Sequence, residues 1–125
     1  MMDENEISYL IRGAIFNVYK NLGPGFLESI YELALEFELR EKGLKCEKQV
    51  SLPFYYRATE LGVFRLDLLV NDKVIVEIKS VSELMPIHHK QLISYLKLSG
   101  LKLGILVNFN VENISDGIFR KVNGL

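Results

Sequence analysis

The sequence predicts a mixed α/β protein folded as a single domain over residues 1–125. Three observations carry this. Apolar residues recur at helical spacing over 4–22, 26–42 and 86–99. They alternate, or run unbroken, in strand-length segments over 45–56, 62–70, 74–80 and 103–109. Glycine, proline and asparagine fall between these segments, where the chain must turn. A chain of 125 residues is one domain by size and can bury roughly two-thirds of its unfolded surface.

In the first helix Ile7, Leu10, Ile11, Ala14, Ile15, Val18 and Leu22 share a face. Gly23-Pro24-Gly25 stops it and opens a second helix, with Leu27, Ile30, Tyr31, Ala34, Leu35 and Leu39 inward and Gly43 as its end. Segment 45–56 alternates, and Pro53 assigns it to a sheet edge or a bulge. GVFRLDLLV (62–70) and VIVEIKS (74–80) are the best strand signals in the chain. Pro86 begins a third helix that Gly100 ends, and LGILVNF (103–109) is a buried strand. The tail from Asp116 is ambiguous between an edge strand and a short helix. The order is ααβββαβ and one further element.

Composition narrows the function. The one cysteine, Cys46, allows neither an internal disulfide nor a Cys-based zinc site. The acidic start MMDENEIS is no signal peptide, and no apolar run reaches the ~20 residues of a membrane helix. A cytoplasmic protein with no membrane partner is expected. Net charge is −1, but residues 1–40 hold 7 acids and 3 bases, while 41–125 hold 9 acids and 12 bases. Proteins that coat nucleic acid by charge alone are far more basic.

The two central strands hold the chemistry. By strand period, Phe64, Leu66, Leu68 and Val70 share one face and Arg65, Asp67 and Leu69 the other. Val74, Val76 and Ile78 oppose Ile75, Glu77 and Lys79 in the same way. A three-residue connection, Asn71-Asp72-Lys73, sets Val70 opposite Val74 and Asp67 opposite Glu77. Opposed carboxylates have Cβ atoms ~5 Å apart, and unit charges at 4 Å repel by ~4 kcal/mol at an effective dielectric of 20. A protonated carboxyl, the Lys79 ammonium or a divalent cation must offset that. The plainer reading of Glu77-x-Lys79 is a surface ion pair worth under ~1 kcal/mol. The apolar setting of VIVEIKS and RLDLLV favours a central, functional pair.

Other polar residues have weaker claims. Glu28 suits the first turn of a helix by charge and dipole, yet lies at the margin of the apolar face. Ser29, Glu32, Glu36 and Arg40 form the outward polar face of that helix, and Glu38 falls oddly near the middle of its apolar face. Gln91 and Tyr95 are one turn apart on the third helix and face inward with His88 and Leu92. His88 and His89 lack a partner at metal-ligand spacing, and Gly23-Pro24-Gly25 lacks the Lys-Ser/Thr of a phosphate loop.

Taken together these residues resemble the GxxExxY family, a branch of the PD-(D/E)xK nuclease-like superfamily. Gly25-Phe26-Leu27-Glu28-Ser29-Ile30-Tyr31 matches the naming motif, and Leu66-Asp67 with Glu77-Ile78-Lys79 matches the nuclease core. Gln91 to Leu96 and Gly104 to Phe109 match the later helix and strand. Leu66 stands where the superfamily name has proline. The resemblance runs from about Ile7 through nearly the whole chain.

It implies a restriction-endonuclease-like αβββαβ core: a mixed sheet flanked by helices, with an extra helix in front. It implies a Mg²⁺- or Mn²⁺-dependent nuclease acting on DNA, with Asp67, Glu77 and the Ile78 backbone carbonyl as metal ligands. Lys79 would position or activate the attacking water, and Glu28 would complete the catalytic set. Gln91, Tyr95 and Tyr31 would line or support the site. Nucleases of this superfamily are often dimers, so a homodimer is compatible with it. The alternative is a catalytically silent nuclease-fold module that binds nucleic acid or a protein partner.

Overall fold

The computed structural model describes all 125 residues. In chain order the elements are α1 (Glu4–Leu22), α2 (Glu28–Glu41), β1 (Cys46–Tyr56), β2 (Thr59–Val70), β3 (Val74–Lys79), α3 (Pro86–Ser99), β4 (Leu103–Asn108), a 3-10 turn (Ile114–Gly117) and β5 (Ile118–Val122). The expected mixed α/β fold is present, and the ambiguous tail is an edge strand. No helix is long and apolar enough to cross a membrane.

The five strands lie in the order β1-β2-β3-β4-β5. All neighbours are antiparallel except β3 and β4, which are parallel. Parallel strands need a long crossover, and α3 supplies it. Asn71 and Asp72 turn the β2–β3 connection with φ of 50° and 57°, conformations that Asn and Asp tolerate. Val70 therefore faces Val74, as the three-residue loop requires. Pro53 lies in β1, an edge strand, and the β1–β2 register shifts just after it, between Phe54 and Tyr55.

The α1/α2 face of the sheet carries the larger core. Asp3 caps α1 through a reciprocal pair of hydrogen bonds with Glu6. Ile7, Ile11, Ala14, Ile15 and Val18 are buried with Leu68, Val70, Val74, Val76 and Ile78 beneath them. On α2 the buried seam is narrower than its sequence suggests. Tyr31, Leu35 and Leu39 are inside, one helical turn apart, whereas Leu27 and Ile30 are exposed. The seam fits between α1 and the sheet, so residues at its margins remain in water. α3 covers the opposite face through Leu92, Tyr95 and Leu96.

A second correction concerns β2. Leu68 and Val70 pack under α1 and α2, but Leu66 and Phe64 pack with α3. Strict alternation would keep all four together. In β1 the same change occurs: Cys46 belongs to the α1/α2 core, and Val50 and Leu52 to the α3 cluster. The side change falls at Gln49 and Asp67. Gln49 has φ of +51°, which turns the strand as a bulge does.

Candidate functional site

Asp67 and Glu77 stand where β2 and β3 part. The backbone pairing of these strands ends at Leu68 and Val76. The next rung is made by side chains. The Asp67 backbone N–H donates to Glu77 Oε2 at 2.8 Å, and the Ile78 N–H donates to Asp67 Oδ2 at 2.8 Å. Each carboxyl group thus accepts from the other strand's backbone N–H, in the place that a carbonyl of its own strand would otherwise fill. The crossed pair of bonds holds both acids at one point, and each strengthens when its carboxyl ionises.

Burial sets the electrostatics. Glu77 is the one charged residue among the buried side chains. Desolvation, then the nearby Asp67 charge, pushes its carboxyl up to about 8. Burial also raises Asp67, against the lowering effects of the Ile78 N–H, the Lys79 charge and the Gln49 side chain. Lys79 favours both ionised carboxylates electrostatically, yet it lies within 4.0 Å of neither. A contact ion cluster with Lys79 is therefore not what offsets the paired acids. No buried side-chain oxygen in the molecule lacks a partner. Glu77 Oε1, which accepts no hydrogen bond, is accordingly not sealed from solvent.

The other expected residues divide. Tyr95 is buried beside the acids, and after desolvation the Glu77 and Asp67 charges raise its pKa. The Gln91 side chain, one turn earlier, opposes that rise. Tyr31 does not line the site. It stacks on Phe109 with ring centroids 4.3 Å apart, donates to Gly23 O at 2.6 Å and accepts from the Phe26 N–H at 3.2 Å. Ser80 Oγ donates to Phe26 O at 2.6 Å. These bonds fix the Gly-Pro-Gly turn and bring the start of α2 to the end of β3. Glu28 begins that helix, exposed and without a hydrogen bond of its own. His88 Nδ1 accepts from the Met85 N–H and caps α3, while His89 lies edge-on to Phe119.

Two acids of α2 expected on its outward face pack toward β1 instead. Glu32, expected on the outward face, is half-buried and accepts from Gln49 Nε2 at 2.9 Å. Burial raises its pKa, the Asp67 charge raises it further, and Glu32 in turn adds to the rise at Glu77. Its i+4 spacing from Glu28 was the available signal. Glu36, also expected outward, pairs with Arg40 at 3.0 Å and with Lys48 at 3.3 Å. The largest concavity, about 560 Å³, runs along β1 and the end of α3 and touches none of Asp67, Glu77 or Lys79.

Comparison with known proteins agrees with this geometry. The family model of the PD-(D/E)XK nuclease superfamily matches residues 5–121. The crystal structure of SSO0001 is similar, with 28% sequence identity and a TM-score of 0.56. The match covers 78% of the present chain and 50% of that one, so this chain spans about half the length of its structural relative. No curated protein matches.

Proposed function

The chain belongs to the PD-(D/E)XK nuclease superfamily, and we propose that it is a divalent-cation-dependent nuclease that hydrolyses DNA phosphodiester bonds. The observation that carries this is the crossed pair of Asp67 and Glu77 at the parting of two strands. Two acids held at one point, the Glu77 carboxyl pushed up to about 8 by burial and by the Asp67 charge, with one oxygen accepting no bond and no lysine in contact, fit a hard cation. Mg²⁺ in particular is held by one or two carboxylates and keeps several of its waters. When bound, such an ion supplies Lewis-acid charge and makes water a nucleophile at neutral pH.

Asp67 and Glu77 would hold the ion, with the Ile78 carbonyl as a third ligand. Lys79, two residues beyond Glu77 and ~6–7 Å further along the strand, would orient the attacking water and stabilise charge on the phosphoryl oxygens. Gln91 would orient Tyr95 beside the two acids. The finer resemblance to the GxxExxY family adds Glu28 as a group that orients water. Its Gly25 and Tyr31 serve that end by shaping the turn before α2.

The test is cleavage of linear, nicked, branched and single-stranded DNA with Mg²⁺ or Mn²⁺. Asp67→Ala and Lys79→Ala should each lower the rate by at least ~100-fold, with the fold intact by circular dichroism. Wild-type protein that cuts none of these, or an Asp67→Ala variant that cuts equally well, overturns the proposal. One observation favours the binding-only alternative: no group of three or more His, Cys, Asp or Glu side chains converges as a metal cage. Calorimetry separates the two, since a silent module would bind DNA without taking up Mn²⁺.

A further inference from the structure

Gln49 sits in the middle of β1 with φ of +51°. That left-handed conformation is costly for a residue with a side chain, and such strain gathers where a site requires it. Successive strand residues should point to opposite faces. Here two in succession reach α2. Lys48 Nζ lies 3.3 Å from Glu36 Oε1, and Gln49 Nε2 donates to Glu32 Oε2 at 2.9 Å. Alternation then resumes on the other side, with Val50 and Leu52 against the α3 cluster.

Across the sheet, the partner position of Gln49 is Asp67. Lys48 faces Leu68 and Val50 faces Leu66, but the rung between them is missing from the ladder. The Gln49 amide is bonded to Glu32, and its side chain lies near enough to the Asp67 carboxylate to lower that group's pKa. A primary amide has two N–H donors and no charge. It can therefore serve two acids together without neutralising either, which a lysine could not.

We propose that Gln49 is a positioning residue, whose amide, presented by left-handed backbone, ties Glu32 of α2 to Asp67 of β2 and holds the Asp67 carboxylate in the orientation a divalent cation needs. The last clause rests on the metal-dependent reading above. The hold on Asp67 does not.

Gln49→Gly is the informative variant, because glycine adopts the same φ freely and the fold loses only the side chain. Two measurements apply to the full chain. In metal-free protein, hydrogen exchange at the Ile78 amide, which donates to Asp67 Oδ2, should quicken about fivefold or more, while that at Val76 stays unchanged. By calorimetry, the variant should bind Mn²⁺ about 10- to 100-fold more weakly than wild type, the usual cost of losing a group that orients a ligand. Unchanged exchange at Ile78 overturns the proposal, as does equal Mn²⁺ affinity where the wild type binds. Wild-type protein that takes up no Mn²⁺ defeats the metal-dependent reading instead, and Ile78 exchange then decides the role of Gln49 alone.

Discussion

The two faces of the sheet are built unequally. The core that α1 and α2 form with the sheet has 20 buried residues, all apolar if Tyr31 and Cys46 are counted so. Under α3 the buried cluster has six members, one of them Tyr95, whose ring borders the two acids. The larger face supplies most of the apolar burial and hence most of the stability. The smaller leaves room for ionisable groups at one end. The lesson is a division of labour: substitutions on the first face should unfold the protein, and those at the parting of β2 and β3 should alter its chemistry and pH response.

The sharpest way to break this comparison is at Tyr31. Tyr31→Ala removes a fully buried ring and both hydrogen bonds to the turn before α2, and should cost about 3–5 kcal/mol by urea unfolding. Tyr31→Phe keeps the stack on Phe109 and should cost less. If Tyr31→Ala left stability alone and changed only substrate binding, the residue would belong to the site after all.

The next effect is on pH. Folded Glu77 keeps its proton to about pH 8, against an ordinary 4.5 in the unfolded chain. Between those values the unfolded state binds fewer protons, so stability of the metal-free protein falls as pH rises through this window. Asp67, also raised, acts in the same direction. A loss on the order of 2 kcal/mol between pH 5 and 8.5 is expected, after allowance for solvent screening. Thermal melts of Glu77→Gln should be flatter across this range and show a higher Tm at pH 8.5 than wild type.

The smallest effect belongs to the α3 face. A methyl group added at Gly104 would come within 2.7 Å of Leu92 Cδ1. That atom ends a flexible side chain, so Gly104→Ala should cost only about 1 kcal/mol in chemical denaturation. A loss as large as that of Tyr31→Ala would mean that the two faces are equally unforgiving.

Much of this was legible in the residues. The Asp67–Glu77 opposition follows from strand period and a three-residue turn, because both strands are regular between Leu68 and Val76. The side change of Leu66 and Phe64 was not legible. It depends on a left-handed glutamine, and nothing local to Gln49 marks it, unlike the asparagine and aspartate at 71 and 72. Glu32 was missed for the same reason, since its partner is that glutamine. Leu27 and Ile30 misled because helical spacing reports which side a residue takes, not how wide a seam its neighbours leave.

The crossed bonds between the two acids and the opposite backbones have a consequence for alignment. β2 and β3 share only the rungs from Leu68 to Val70 and from Val74 to Val76, all of them aliphatic. A slip of two residues would set Val70 against Val76 and Leu68 against Ile78, two rungs still apolar, but would set Leu69 against Glu77. Beside the three-residue turn, the bonds from Asp67 N to Glu77 and from Ile78 N to Asp67 tell the true alignment from the slipped one. The costliest charges in the protein thereby serve as its alignment marks.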